Sequence, residues 1–341
     1  MFSTSILIAL AAISFPGIKI KTEATGISKQ ETVALKGMLS LMVFLHHFSG
    51  WFANPDPILY FFSHCGSFMV SVFFFLSGYG ISKSKTAEKQ TFKDLILKIL
   101  KLFIPFWIID ALCLVMYYSL EVPLPTEVNL KIILLSIINV AEIVSFSWFL
   151  STITVIYILY FLTKKIEKIN HILLLFAVLI ILSFFVPELW LTYFAFPIGL
   201  LISKEELFFR FLSKIKYGMI MAGIVVMILL AIMLKYFGET LPDNKIAGNV
   251  ADVLSGTLFA VFIYMLTNKI HIGNKVLSFI GEISYEIYLL HGLGIFFSSK
   301  FFTFEKPYAF FLVALVFTLV TSFIVNRICK KIFKMLPTGK K

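Results

Sequence analysis

KGMLSLMVFLHHFSG, residues 36–50, sets the terms for the whole chain. A lysine opens it, an almost unbroken apolar run follows, and a histidine pair, His46 and His47, lies inside the run. Extended to 33–53, the stretch has 21 residues. At about 1.5 Å per residue that crosses the roughly 30 Å of hydrocarbon in a bilayer. Working outward, similar runs cover 62–82, 102–119, 147–163, 172–187, 189–203, 217–237, 250–267, 277–298 and 307–326, ten in all. Composition agrees. The 341 residues are 59% hydrophobic and 14% charged, include 39 Phe, and have a mean hydropathy of +0.94. One globular core cannot hide that much apolar surface, so a soluble fold is excluded. The fold class expected is all-α: a polytopic transmembrane bundle of about ten helices.

The charges give its orientation. With the residues before the first run inside, 24 of the 30 basic residues fall on the inner side, including Lys83, Lys85, Lys89, Lys93, Lys98, Lys101, Lys164, Lys165, Lys168, Arg327 and Lys341. Lys131, Lys235, Lys245, Lys300 and Lys306 fall outside. The positive-inside rule then places the N and C termini of the bundle in the cytoplasm. A net charge of +11 therefore reports topology, and no nucleic-acid partner is expected. Residues 130–144 are also apolar, but a span there would invert every later basic loop, so they are expected as an interfacial or re-entrant helix on the outer side. Residues 2–15 lack the pattern of a signal peptide and are expected as a short extra span or a surface helix. The chain divides into an N-terminal segment and basic linker (1–32), a membrane domain (33–330) and a basic tail (331–341). Cys65, Cys113 and Cys329 show no paired or metal-ligand spacing, and no metal site is expected.

Ionisable groups inside a membrane cost several kcal/mol unless they face a cavity or a partner. His47 stands foremost, eleven residues after Lys36 and so roughly 16 Å above it along a helix. His46 points about 100° away and is assigned to packing. In GEISYEIYLLHG (281–292), Ser284, Tyr288 and His291 recur at i, i+4 and i+7, lining a hydroxyl, a phenol and an imidazole on one helical face. That stripe suits a polar cavity at the depth of His47; a hydrogen-bonded cluster holding helices together is the alternative. Glu286, Asp110 and Asp252 are weaker candidates, each equally open to structural pairing. Ser77, Gly78 and Gly80 in FFFLSGYGIS permit either close helix packing or a water-facing backbone. The lysines from Lys83 to Lys101 suit attraction to anionic lipid, or a cytoplasmic clamp for phosphates.

Taken together, Lys36-Gly37 with His47 eleven on, FFFLSGYGI (73–81), Lys98 and Lys101 ahead of Pro105, WFL (148–150) and ISYEIYLLHG (283–292) resemble the acyltransferase-3 family of integral membrane acyltransferases, in its WFL-type branch. The resemblance implies transfer of an acyl group, commonly acetyl, from cytoplasmic acyl-CoA to hydroxyls of surface or lipid-linked glycans, in a multi-pass protein of the bacterial inner membrane. It implies catalytic roles for His47 and His291, donor-binding roles for Lys36, Lys98 and Lys101, and a substrate cavity near Ser77, Gly78, Trp148, Ser284 and Tyr288. Relatives commonly carry arginine where this chain has Lys36, Lys98 and Lys101, so charge is kept while the bidentate fork is lost. Acetyl-CoA is expected as a co-substrate, with no permanently bound cofactor. The same residues also fit a second class, a proton-coupled transporter or flippase of an anionic or glycan substrate.

Overall fold

The computed structural model describes residues 1–22, 26–84, 90–166, 170–185, 191–204, 214–216, 218–226, 229, 245–303 and 305–335. Lys85, Lys89, Lys168, Lys235 and Lys341 lie outside the described residues, as do the side chains of Lys245 and Asp252 and most of the expected run 217–237.

Among the described residues the fold is all-α apart from one two-residue ladder. In chain order the helices are α1 (Phe2–Ser14), α2 (Lys29–Ser49), α3 (Pro57–Ser63), α4 (Gly66–Ser82), α5 (Phe92–Leu120), α6 (Leu130–Ser136), α7 (Trp148–Lys164), α8 (His171–Phe185) and α9 (Ala195–Lys204). Then come α10 (Lys245–Thr267), α11 (Lys275–Glu282), α12 (Ser284–Ser299) and α13 (Pro307–Met335). Strands β1 (Lys19–Ile20) and β2 (Ile270–His271) pair antiparallel, with Lys19 opposite His271. Local chemistry sets the helix starts. Ser28 with Glu31, and Thr91 with Asp94, form reciprocal capping boxes at α2 and α5. Asp56 caps α3, where Pro57 occupies the first turn and gives up no intrahelical hydrogen bond.

Helices α2, α5 and α13 are long and apolar enough to cross a membrane, and α3 with α4, bent by 41°, makes a fourth span if the pair is one. Other expected runs appear as shorter apolar helices: α7, residues 171–183 of α8, and residues 253–267 of α10. The run 189–203 becomes a 3-10 turn (Leu191–Phe194) followed by α9. The run 277–298, expected as continuous, breaks at Ile283 (φ −112°, ψ 13°) into α11 and α12. Gly281, Glu282 and Ser284 flank the corner, yet a span read from overall hydropathy runs straight through them. The 13 residues of α1 reach about 20 Å, and Phe2 packs its ring against Phe48, Phe52, Tyr308 and Phe311.

Helix α2 is central, touching α3, α4, α11 and α12. It meets α11 backbone to backbone: a Cβ on Gly37 would run into the Leu277 carbonyl, and one on Gly281 into that of Val33. Small residues let helices approach this closely where lipid supplies no hydrophobic drive between them. Helix α13 shows the same logic. It buries Ala314, Thr318, Ser322 and Asn326 and turns Leu312, Val316 and Val320 outward.

Candidate active site

Helices α2 and α12 and one loop bring the two imidazoles together, and α4, α5 and α7 complete the cavity beside them. Lys36 and Ser284 line one cavity, while the rings of His47 and His291 lie 4.8 Å apart. Helices α2 and α12 therefore run in the same direction, and the i, i+4, i+7 stripe on α12 faces α2. The cavity has a volume of about 150 Å³. Its polar lining is Lys36 from α2, Ser77 from α4, Tyr157 from α7, and Ser284, Tyr285 and Tyr288 at the start of α12. Val70, Phe73, Leu102, Phe149 and Ile153 supply the apolar wall.

One turn beyond Tyr288 sits His291, fully buried. Its Nδ1 lies 2.6 Å from the Tyr288 carbonyl oxygen. A carbonyl only accepts, so Nδ1 carries the proton and Nε2 holds the lone pair. That Nε2 is buried and has no hydrogen-bond partner among the described residues. An unpaired buried polar atom is expensive, and a neutral imidazole with a free lone pair is a proton acceptor. The ring of His47 stacks on Phe146 at 3.7 Å and 23°. His46 meets His47 edge-on at 4.6 Å but turns away: its Nδ1 lies 3.3 Å from the Phe62 carbonyl, and its ring fills the space beside Gly66. The two adjacent imidazoles thus serve different neighbours, as their helical offset requires.

The other expected site residues fall at different distances from this centre. Lys98 is half-buried and Lys101 exposed on α5. Lys98 precedes the cavity residue Leu102 by four positions, which places both on one face of the helix. The Leu102 carbonyl accepts a hydrogen bond from the Tyr285 hydroxyl at 2.9 Å. Ser77 donates to its own helix at the Phe73 carbonyl, 2.8 Å away, while presenting at the cavity wall. Gly78 does not line the cavity; it lies against the Phe196 backbone, where α4 crosses α9. Trp148 is half-buried at the start of α7, and its neighbour Phe149 is the residue that reaches the cavity. Glu286 points elsewhere, accepting from Asn326 Nδ2 at 3.0 Å. Asp110 accepts from Ser136 at 2.9 Å. For these two carboxylates structural pairing is what the fold displays.

Sequence reasoning missed three contributors. Tyr157 and Tyr285 line the cavity, and Phe146, on the loop after α6, touches both imidazoles. Its carbonyl also accepts the Tyr288 hydroxyl. Each is one aromatic residue among many, which composition alone cannot tell from ordinary core.

No curated protein and no solved structure matches the chain. Residues 34–327 match the acyltransferase domain of the acyltransferase-3 family, a stretch that begins on α2 and ends within α13. An assignment to acyl transfer replaces the transporter alternative, and the chain is a multi-pass integral membrane protein. A match of this extent, enclosing the cavity, both imidazoles and Lys36, shows that the protein belongs to the acyltransferase-3 family of membrane acyltransferases.

Proposed function

We propose that the protein is an O-acyltransferase of the bacterial inner membrane that moves an acetyl group from cytoplasmic acetyl-CoA to a hydroxyl of a surface or lipid-linked glycan. The observation that carries this reading is the 4.8 Å pairing of His47 with His291 beside a cavity that has Lys36 in its wall. A cavity near 150 Å³ is of the size that takes up a benzene molecule. It suits an acetyl group better than a long acyl chain.

In this mechanism the acceptor hydroxyl attacks the thioester carbonyl carbon while His47 takes its proton. The carbon–sulfur bond breaks, the ester forms, and the thiolate of CoA collects the proton that the imidazolium returns. His291, its tautomer set by the Tyr288 carbonyl, offers its Nε2 lone pair to the His47 imidazolium and stabilises the charge as it develops. The Tyr288 and Ser284 hydroxyls at the cavity wall orient the reacting groups or donate to the tetrahedral oxyanion. Lys36, Lys98 and Lys101 attract the phosphates of the donor from the cytoplasmic side, as point charges rather than forks. The basic residues on the inner side support that sidedness, with the bundle's termini cytoplasmic.

The test is chemical. Membranes from cells that express the chain should release free CoA thiol from acetyl-CoA, and mass spectrometry of their surface glycans should show added acetyl groups absent from cells without the gene. Unmodified glycans together with no thiol release would refute the assignment.

A further inference from the structure

Residues 130–144, expected as one interfacial or re-entrant helix, are helical only over α6, and from 137 to 147 the chain makes a loop that leads into α7. Two of its residues, Asn139 (φ 57°) and Phe146 (φ 64°), have left-handed backbone conformations. Asparagine visits that region readily; a bulky aromatic residue rarely does, and such outliers persist only where their surroundings enforce them. Here the enforcement is visible. Asn139 Nδ2 donates to the Ser147 carbonyl at 2.9 Å and to Ser151 Oγ at 2.8 Å. Ser147 Oγ donates back to Asn139 Oδ1 at 2.7 Å, and the Ser147 amide donates to Glu142 at 3.2 Å. From outside the loop, Trp107 Nε1 holds the Ile137 carbonyl at 2.8 Å and Thr126 holds that of Glu142 at 3.2 Å.

The product of this clasp is the placement of one residue. The Phe146 ring lies flat on His47 at 3.7 Å and nearly parallel to His291 at 5.3 Å and 16°. Its carbonyl takes the Tyr288 hydroxyl, and Ser145 beside it packs so closely on α12 that only glycine fits at Gly292. One strained residue therefore touches the base, its partner imidazole and a cavity-lining phenol.

We propose that Phe146 is a positioning residue for acyl transfer: its ring, fixed by the Asn139 clasp, holds the His47 imidazole turned toward His291. This rests on the reading of His47 as the base. The planar ring covers one face of His47, confines it to the orientation in which its ring lies 4.8 Å from that of His291, and keeps water off the covered face. Losing it frees the imidazole to rotate without changing how the donor binds.

The experiment uses the full chain in native membranes, with acetyl-CoA as the probe and CoA thiol release as the readout, on Phe146→Gly, Phe146→Leu, Phe146→Tyr and His47→Ala. Glycine accepts a positive φ at no steric cost, so Phe146→Gly should keep the backbone and the parent's thermal stability. Its kcat should fall at least about tenfold, with KM for acetyl-CoA within about twofold of the parent. Phe146→Leu, which keeps bulk but has no planar face, should fall similarly, and Phe146→Tyr should keep more than half the parent's kcat. Leucine at the parent's rate, or tyrosine as poor as leucine, would overturn the proposal. The Leu and Tyr contrast decides the matter even where the glycine variant fails to accumulate. If His47→Ala keeps the parent's rate, the base assignment fails and the positioning role with it. If His47→Ala is inactive while Phe146→Leu is fully active, only the positioning role fails.

Discussion

Helix α2 carries a buried ionisable cluster at each end, and the two clusters are opposites. At its start, Glu31 Oε1 receives Lys21 Nζ at 2.8 Å and faces His271 Nδ1 at 3.0 Å, while Glu31 Oε2 accepts the Ser28 amide at 2.8 Å. Lys21 further donates to the carbonyls of Thr267 and Gly26 at 2.7 and 3.0 Å. Lys21 thus has three acceptors and both Glu31 oxygens are used, and the cluster ties the N-terminal segment and β2 to the base of α2. At the other end, the rings of His47 and His291 approach each other, and His291 Nε2 has no partner among the described residues. A fully satisfied network specifies a fold, whereas a lone pair left open in a buried site is held ready for a proton. On the proposed mechanism the same residue type, histidine, serves both purposes, and its partners decide which.

The comparison breaks most decisively at His47. His47→Ala should lower transfer by about 10²- to 10⁴-fold, the usual weight of a general base, in protein that still inserts. His46→Ala should stay within a few-fold of the parent, because its ring serves Phe62 and Gly66. Equal tolerance of both changes, measured as thiol release normalised to membrane-inserted protein, would remove His47 as the base. The lower cluster should respond in stability rather than in turnover. Glu31→Ala leaves Lys21, whose side chain is 11% exposed, without its carboxylate, a loss of about 3–5 kcal/mol for a buried pair. Heat-induced unfolding of the detergent-solubilised protein should come at clearly lower temperature, while kcat per folded molecule holds. A fall in kcat at unchanged stability would contradict the division of labour between the two ends.

The smallest expected effect sharpens the boundary between them. Lys98 and Lys101 belong to neither cluster; they sit on α5 ahead of Leu102 at the cavity wall. Replacing either by Gln should weaken acetyl-CoA binding roughly 10- to 150-fold, a charge-assisted contact being worth about 1.5–3 kcal/mol. Lys→Arg should retain most of the affinity. Filter binding on purified protein reads both, with dephospho-CoA as control. Unchanged binding in the double Gln variant would remove these lysines from the donor site.

Much of this was legible before any coordinates. Imidazoles at 47 and 291 stand out because charge-capable groups in apolar runs need a reason to be there. Ser284 and Tyr288 follow from helical periodicity, and both reach the cavity. Of the two readings open for Gly78 the fold displays close packing, with α9 as the neighbour, rather than the cavity position the resemblance implied. Phe146, Tyr157 and Tyr285 gave no signal among 39 Phe and 13 Tyr.

By itself, then, the sequence determined that the chain is a helical membrane protein and that two histidines and a hydroxyl stripe lie within apolar helices. Those conclusions rest on periodicity and on the cost of polarity in lipid, which act locally along the chain. Tertiary structure alone decided the rest: that residues 240 positions apart, Glu31 and His271, would pair, that the helix near Ile283 would break, and that a strained loop would lay Phe146 across His47. Each depends on which helix packs against which. Contacts of that kind are fixed by shape and by hydrogen bonding between distant segments, and neither leaves a periodic trace in the order of the residues.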